Sequence, residues 1–220
     1  MGAIVSFGFG SAIDEPVTVW RADTGELSGG TYSFAVMAPP PTVDGVGARY
    51  LAVTPPTGQD PVALLVTPSC QGGVPQYAGS PTEISPHGFF TYLVDDPNDA
   101  AFLTPAQWGG TVNITGITIT PSTTYDVQTE STEGVVSATG TGTTWLWGDV
   151  NNDGSASFLD VQLVILAFGG NFDNATFAGA DLALPIMMGC FSADRIINTN
   201  DTSAAIKAFQ SVPYPCLACP

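Results

Sequence analysis

Asp149-Val150-Asn151-Asn152-Asp153-Gly154-Ser155-Ala156-Ser157-Phe158-Leu159-Asp160 puts side-chain oxygens at positions 1, 3, 5 and 12 of a twelve-residue loop, with glycine at position 6. A hard cation that takes about six to eight oxygen ligands asks for this arrangement. Gly154 permits the sharp turn, the Ser155 carbonyl serves position 7, and Ser157 or its water serves position 9. Asp160 closes the loop and also starts a helix, where a carboxylate is favoured by the helix dipole. An Asn-Asp-Gly turn on an acidic surface is the plainer alternative. It accounts neither for the total spacing nor for the helix pattern that begins at position 12. Magnesium suits the loop less well, because its tight octahedron is not imposed by a flexible set of many oxygens. Calcium is therefore expected, held by Asp149, Asn151, Asp153, Ser155, Ser157 and Asp160.

The helix pattern runs from Asp160 to Phe168, with Val161, Leu163, Val164, Ile165 and Phe168, and stops at Gly169-Gly170. A second one, Asp201 to Gln210, carries Ala204, Ala205, Ile206 and Phe209. The two repeat at an offset of 41 residues, which superposes Asp160 on Asp201, Ile165 on Ile206 and Phe168 on Phe209. A pseudo-twofold pair with helices packed face to face is expected, with Val161, Leu163, Val164 and Leu166 buried. Counting back from Asp201 as position 12 puts Asn198 at 9, the Ile196 carbonyl at 7 and Asp194 at 5. Asp181 supplies position 1 only if Leu182 to Ala193 loops out. These five residues are the expected holders of a second calcium ion.

Upstream, short β-branched or aromatic runs alternate with Gly, Pro, Ser and Asn breakers: Thr31 to Val36, Arg49 to Thr54, Pro61 to Thr67, Thr111 to Ile119 and Thr123 to Thr129. That spacing predicts the strands of a β-sandwich. The alternation Val112, Ile114, Ile117, Ile119 slips by one at Gly116, which predicts a bulge. Ser137 to Thr144, rich in Thr and Gly, is expected to be a flexible strand end or linker.

Ile119-x-Pro121-x-Thr123-x-Tyr125-x-Val127 resembles the fibronectin type III pattern around the tyrosine corner, in which the Tyr hydroxyl bonds back to the chain just upstream. Trp147-Gly148 followed by loop and exit helix, with no entering helix, resembles a dockerin repeat. The segment through Ala180-Asp181-Leu182 to the Pro213-Tyr214-Pro215 tail is similar to dockerin-like modules of large secreted proteins of planctomycetes and related bacteria. The resemblance implies a mainly β chain with a small α C-terminal module: an immunoglobulin-like, fibronectin type III-like β-sandwich over residues 48–146, and a dockerin-like pair of calcium loop-helix repeats over 147–220. Residues 1–47 remain as an N-terminal extension.

Twenty acidic residues face four basic ones, Arg21, Arg49, Arg195 and Lys207, for a formal net charge of -16. Phosphate contacts to nucleic acid are excluded by so few cations, and the excess of carboxylates would repel itself unless something positive were bound. No apolar run approaches the ~20 residues of a membrane span. Met1 to Ser11 lacks a basic n-region, so either a secretion signal has been removed or the chain is a piece of a longer precursor. Four cysteines, Cys70, Cys190, Cys216 and Cys219, suit an oxidising compartment, and a disulfide from Cys190 to Cys216 or Cys219 is expected.

No nucleophile elbow, Cys-His pair or phosphate loop is present, His87 is the lone histidine, and Asp95-Asp96 and Asp14-Glu15 are adjacent carboxylates of a solvated surface. A non-enzymatic, extracellular or cell-surface protein is expected. In Gly2 to Gly10, Ala3, Val5, Phe7 and Phe9 share one side of an extended strand that could be donated to a neighbour, as in a filament. The expected role is a calcium-binding structural subunit that self-assembles into a homo-oligomer or fibre. Two alternatives stand beside it: an anchoring module for a cohesin-like receptor, and a non-catalytic fragment of a secreted carbohydrate-active enzyme with a glycan partner.

Overall fold

The computed structural model describes residues 16–20, 27–31, 38–70, 72–182 and 193–216. Two compact units divide the chain, residues 1–38 and 39–220. In the first, β1 (Pro16–Trp20) and β2 (Leu27–Thr31) pair antiparallel, with Val17 opposite Gly30 and Val19 opposite Ser28. The expected donor strand Gly2 to Gly10, the Asp14-Glu15 pair and the run Tyr32 to Val36 lie outside the described residues.

The second unit is mainly β with a few short helices. Its strands are β3 (Thr42–Gly47), β4 (Tyr50–Thr54), β5 (Val62–Pro68), β6 (Gln76–Ala78), β7 (Thr82–Ile84), β8 (Gly88–Val94), β9 (Val112–Thr115), β10 (Thr124–Ser131) and β11 (Gly140–Thr143). They form one nine-stranded sheet in the order β11-β10-β5-β6-β8-β9-β4-β3, with β7 added to β8. Every pairing is antiparallel except β8 with β9. Hydrogen bonding runs unbroken through the short β6, which pairs with both β5 and β8. β3 adds residues that the sequence leaves in the N-terminal extension.

Alternation decides which way the strands face. Leu64 and Val66 of β5, Tyr125 and Val127 of β10, Leu51 and Val53 of β4, and Val112 and Ile114 of β9 all enter one core with Val43, Trp108 and Ile119. Because these residues come from both ends of the strand order, the sheet curls around its own core and brings its two edge strands together. Glycine makes that approach feasible: a Cβ on Gly140 would meet the Pro41 carbonyl, and one on Gly142 would meet Val43. Edges that cover each other are not open templates for pairing.

Two expectations for the strands are corrected. No bulge forms at Gly116; β9 ends at Thr115, and the chain turns so that the Ile119 N–H donates to the Gly116 carbonyl at 3.1 Å. The slip in alternation therefore marks a strand end, which leaves Ile117 exposed and Ile119 buried. The irregular register lies in β3, between Gly45 and Gly47. Nor is Ser137 to Thr144 a linker, since it carries β11 and the buried Ser137 hydroxyl accepts the Thr129 N–H at 2.9 Å.

The bond expected at Tyr125 is present. Its buried hydroxyl donates to the Thr118 carbonyl and accepts the Thr120 N–H, both at 2.7 Å. Tyr125→Phe leaves that amide and that carbonyl without a partner, so it should cost about 2 kcal/mol in urea unfolding, given ~1–3 kcal/mol for an unsatisfied buried group. A loss below about 0.5 kcal/mol would show that the corner is decoration.

Helices α1 (Phe158–Phe168), α2 (Phe177–Ala180) and α3 (Thr199–Phe209) follow. Ser157 caps α1 and Asn198 caps α3, each in a capping box whose other half is Asp160 or Asp201. α1 stops at Gly169, and Gly170 takes the positive φ of 84° that the turn demands. Val161, Leu163, Val164 and Ala167 of α1 pack with Ala204 and Ala205 of α3, and with Ala48, Val150 and Leu182.

Leu166, expected inside, is 47% exposed, and Phe158, Leu159, Ile165 and Phe168 are exposed with it. α1 is apolar on every side, so periodicity cannot say which side is covered. Among the described residues no helix is long and apolar enough to cross a membrane.

Candidate functional site

The loop 149–160 is organised by its carboxylates. Asp149, buried, accepts the Asp153 N–H on Oδ1 at 3.1 Å and the Gly154 N–H on Oδ2 at 2.8 Å. Asn151 Oδ1 also accepts the Asp153 N–H, and Asp153 Oδ1 accepts both the N–H and the hydroxyl of Ser155. The Ser155 bonds, and Asn151 Nδ2 donating to Asp153 Oδ2 at 3.0 Å, hold the Asp153 carboxyl below its ordinary value, Ser155 first and Asn151 second. At the end of the loop, Asp160 accepts the Val150 N–H on Oδ1 at 2.8 Å, and the Ser157 N–H and hydroxyl on Oδ2. Gly154 sits at φ 89°, where a side chain would be strained.

The second loop repeats four bonds of this network. Asp201 accepts the Leu182 N–H on Oδ1 at 2.8 Å and the Asn198 N–H on Oδ2 at 2.7 Å, as Asp160 does with Val150 and Ser157. Asp194 Oδ1 accepts the Ile196 N–H, as Asp153 does with Ser155. Asp181 Oδ2 accepts the Arg195 N–H at 2.8 Å, as Asp149 does with Gly154. Asp181 thus comes to the Asp194-Arg195 turn although its distance along the chain differs from that in the first loop. Arg195 takes φ 62°, the left-handed conformation that glycine has in the first loop. An arginine hides that turn from any reading that looks for glycine.

Sequence reasoning missed Tyr50. From β4 it reaches the second loop, its fully buried phenol donating to Asp181 Oδ2 at 2.6 Å. No local signal could have shown this, since the two residues are 131 positions apart. Asp181 is fully buried, its Oδ1 has no hydrogen-bond partner, and burial, opposed by the Tyr50 bond and aided by Asp201 and Asp194, pushes its carboxyl up to about 8. Burial and then the adjacent Asp181 carboxylate hold the Tyr50 phenol well above its own ordinary value. A buried carboxylate of this kind is costly when ionised unless a positive charge is supplied.

The loops are fixed to the sheet at other points. The Trp145 indole N–H donates to the Gly45 carbonyl at 2.7 Å, and the Trp145 N–H to the Gly47 carbonyl at 3.0 Å. Buried Arg49 donates through Nε to the Ile119 carbonyl and lies 5.4 Å from the Tyr214 ring, which in turn packs on Trp147. His87, in the turn between β7 and β8, stacks on Phe177 and touches Phe172, where burial lowers its ordinary value. Asp96 caps a short turn at Pro97–Asp99, and Asp95 accepts from Gln76.

Cys70 and Cys216 each take part in a disulfide, and the pairing expected for Cys190 lies outside the described residues. Among the described residues no three His, Cys, Asp or Glu side chains converge as a ready-made metal cluster. The oxygens of the two loops are instead a mixed set of carboxylates, amides, hydroxyls and carbonyls. Comparison with family models, with curated proteins and with solved structures finds no match.

Proposed function

We propose that this chain is an extracellular calcium-binding structural protein, a fibronectin type III-like sandwich joined to a dockerin-like pair of calcium loops, which self-assembles as a surface or fibre subunit and catalyses no reaction. The observation that carries the calcium reading is the shared network. Two segments that differ in the spacing of their first carboxylate and in the residue at the left-handed position share three equivalent amide-to-carboxylate bonds. An ionised carboxylate has about four acceptor sites, and on Asp149, Asp153, Asp160 and Asp181 these bonds leave at least one of them over. The amides therefore orient the carboxylates without exhausting them.

The residues fit a hard divalent cation. Asp149, Asn151, Asp153 and Asp160, with the Ser155 carbonyl and Ser157, would hold one calcium ion; Asp181, Asp194, Asn198 and Asp201, with the Ile196 carbonyl, would hold the other. The orphaned, fully buried Oδ1 of Asp181 supports the second assignment, because a bound cation would supply the partner it lacks. The balance of -16 supports it as well, since each divalent ion offsets two of those charges.

Chelation is the test. A ligand that binds only the folded state stabilises it by about 2.7 kcal/mol at 100 times its dissociation constant. Adding calcium to metal-free protein should raise the melting temperature, and Asp149→Ala combined with Asp153→Ala should remove most of the part due to the first loop. A melting curve that ignores calcium after verified metal removal defeats the reading. Self-assembly is tested separately, by light scattering of the native chain with calcium and after deletion of residues 1–12. The expected results are assemblies and monomers respectively.

A second reading, docking of a cohesin-like receptor, is favoured by one observation. The outer side of α1 exposes Phe158, Leu159, Ile165, Leu166 and Phe168, and Phe209 of α3 packs edge-on to Phe158 beside them. An apolar surface of that extent suits a protein partner. Leu159→Asp with Leu166→Asp should abolish receptor binding without altering assembly size if docking is the role, and should leave binding of any such receptor untouched if it is not.

A further inference from the structure

The two loops share a network but differ in how their first carboxylate is held. Asp149 takes two amides of its own loop, those of Asp153 and Gly154, one on each oxygen. Asp181 takes one loop amide, that of Arg195, and the hydroxyl of Tyr50, both on Oδ2. A side chain from the sheet stands where the first loop uses its own backbone. The first loop is self-contained in this respect, and the second is not.

We infer that Tyr50 is a positioning residue for the second cation site, fixing the Asp181 carboxylate from β4 so that its other oxygen is left for the ion, and so coupling calcium binding at that loop to the folded sheet. The inference rests on the calcium reading above. Its physical basis is the rigidity of the donor. Tyr50 is fully buried, its ring meets Phe90 edge-on at 5.6 Å, and Phe90 in turn packs against Phe177 of α2. A phenol locked in this way cannot follow the carboxylate if the loop moves; it selects one orientation of Asp181. A carboxylate left free to rotate would have to be ordered by the ion itself, at the expense of affinity. Outer-sphere partners of metal ligands typically change affinity by about 10- to 100-fold when removed.

Coupling of this kind is reciprocal. If the sheet stiffens the site, the ion in the site must stiffen β4. The first loop, whose capping and turn bonds are all local, offers β4 no comparable link through its first carboxylate.

Calorimetric titration of the metal-free full chain with calcium chloride tests this, comparing wild type, Tyr50→Phe, Asp149→Ala and the double variant. Wild type is expected to take two ions. Tyr50→Phe should weaken one of them about 10- to 100-fold and leave the other unchanged, while Asp149→Ala should remove the one that Tyr50→Phe spares. In the double variant the surviving site should keep the weakened affinity. Because Tyr50→Phe alters a buried position, amide hydrogen exchange on the Asp149→Ala protein supplies a measurement with Tyr50 intact: calcium should raise protection of Tyr50–Thr54. Equal affinities in wild type and Tyr50→Phe, or calcium binding to Asp149→Ala with no change in β4 protection, overturns the inference and leaves the calcium reading standing. A wild type that binds no calcium overturns both.

Discussion

Asp201→Ala should cost about 3–5 kcal/mol of folding stability even in the absence of calcium. The residue is fully buried and its two oxygens accept the Leu182 and Asn198 amides, the second bond being half of the capping box of α3. Truncation leaves two amides without acceptors at roughly 1–3 kcal/mol each, and weakens a helix cap whose loss typically costs about 1 kcal/mol. Urea unfolding followed by circular dichroism measures the loss in chelator, where the ion contributes nothing. If the second loop holds calcium as proposed, the loss in calcium should be larger still. A variant as stable as wild type in chelator would mean that the loop is held from elsewhere and that its carboxylates serve the ion alone.

Gly47→Ala should be comparably damaging for a different reason. A methyl group at this position would run into the backbone carbonyl of Ala178 in α2, while the Gly47 carbonyl already accepts the Trp145 N–H. Backbone stands on both sides of the contact, and backbone cannot swing away as a flexible side chain would. Overpacking of this type costs about 1–3 kcal/mol and more where nothing yields; a loss of about 3 kcal/mol or greater is expected in the same assay. Gly58→Ala is the control, since its methyl would meet nothing within 4 Å. It should fall within about 0.5 kcal/mol of wild type. Equal stabilities for the two variants would show that α2 can lift from the sheet without penalty.

What could be read from the sequence was local. The oxygen spacing of Asp149 to Asp160, the offset of 41 residues between the helices and the glycine stop after Phe168 are contained within short windows, and each has a counterpart in the structure. The strands β4, β5 and β10 and the Tyr125 bond were legible for the same reason. Features that depend on distant partners were not. β11 has little hydrophobic alternation, because its glycines press against β3 instead of presenting side chains. The outward position of Leu166 is not legible, because a helix apolar on nearly every side has no stripe to orient it. β3 lies in a stretch of Pro, Gly and small residues whose pairing with β4 is decided by the core around Val43. Tyr50 stands in the run Arg49 to Thr54 with nothing nearby in sequence to mark its partner.

The hydrogen bond between Tyr50 and Asp181 also bears on the order in which the chain can fold. β4 is made early, yet its buried phenol gains its acceptor only after a further 131 residues have emerged. Long-range contacts of this kind close large loops and slow the search for the native state. Until the C-terminal loops arrive, a nascent chain must either shelter the Tyr50 hydroxyl or leave it wet. Seating of the second loop against the sheet is then expected to come late in folding. An ion that arrives with that loop would act late in the pathway, slowing unfolding more than it hastens folding.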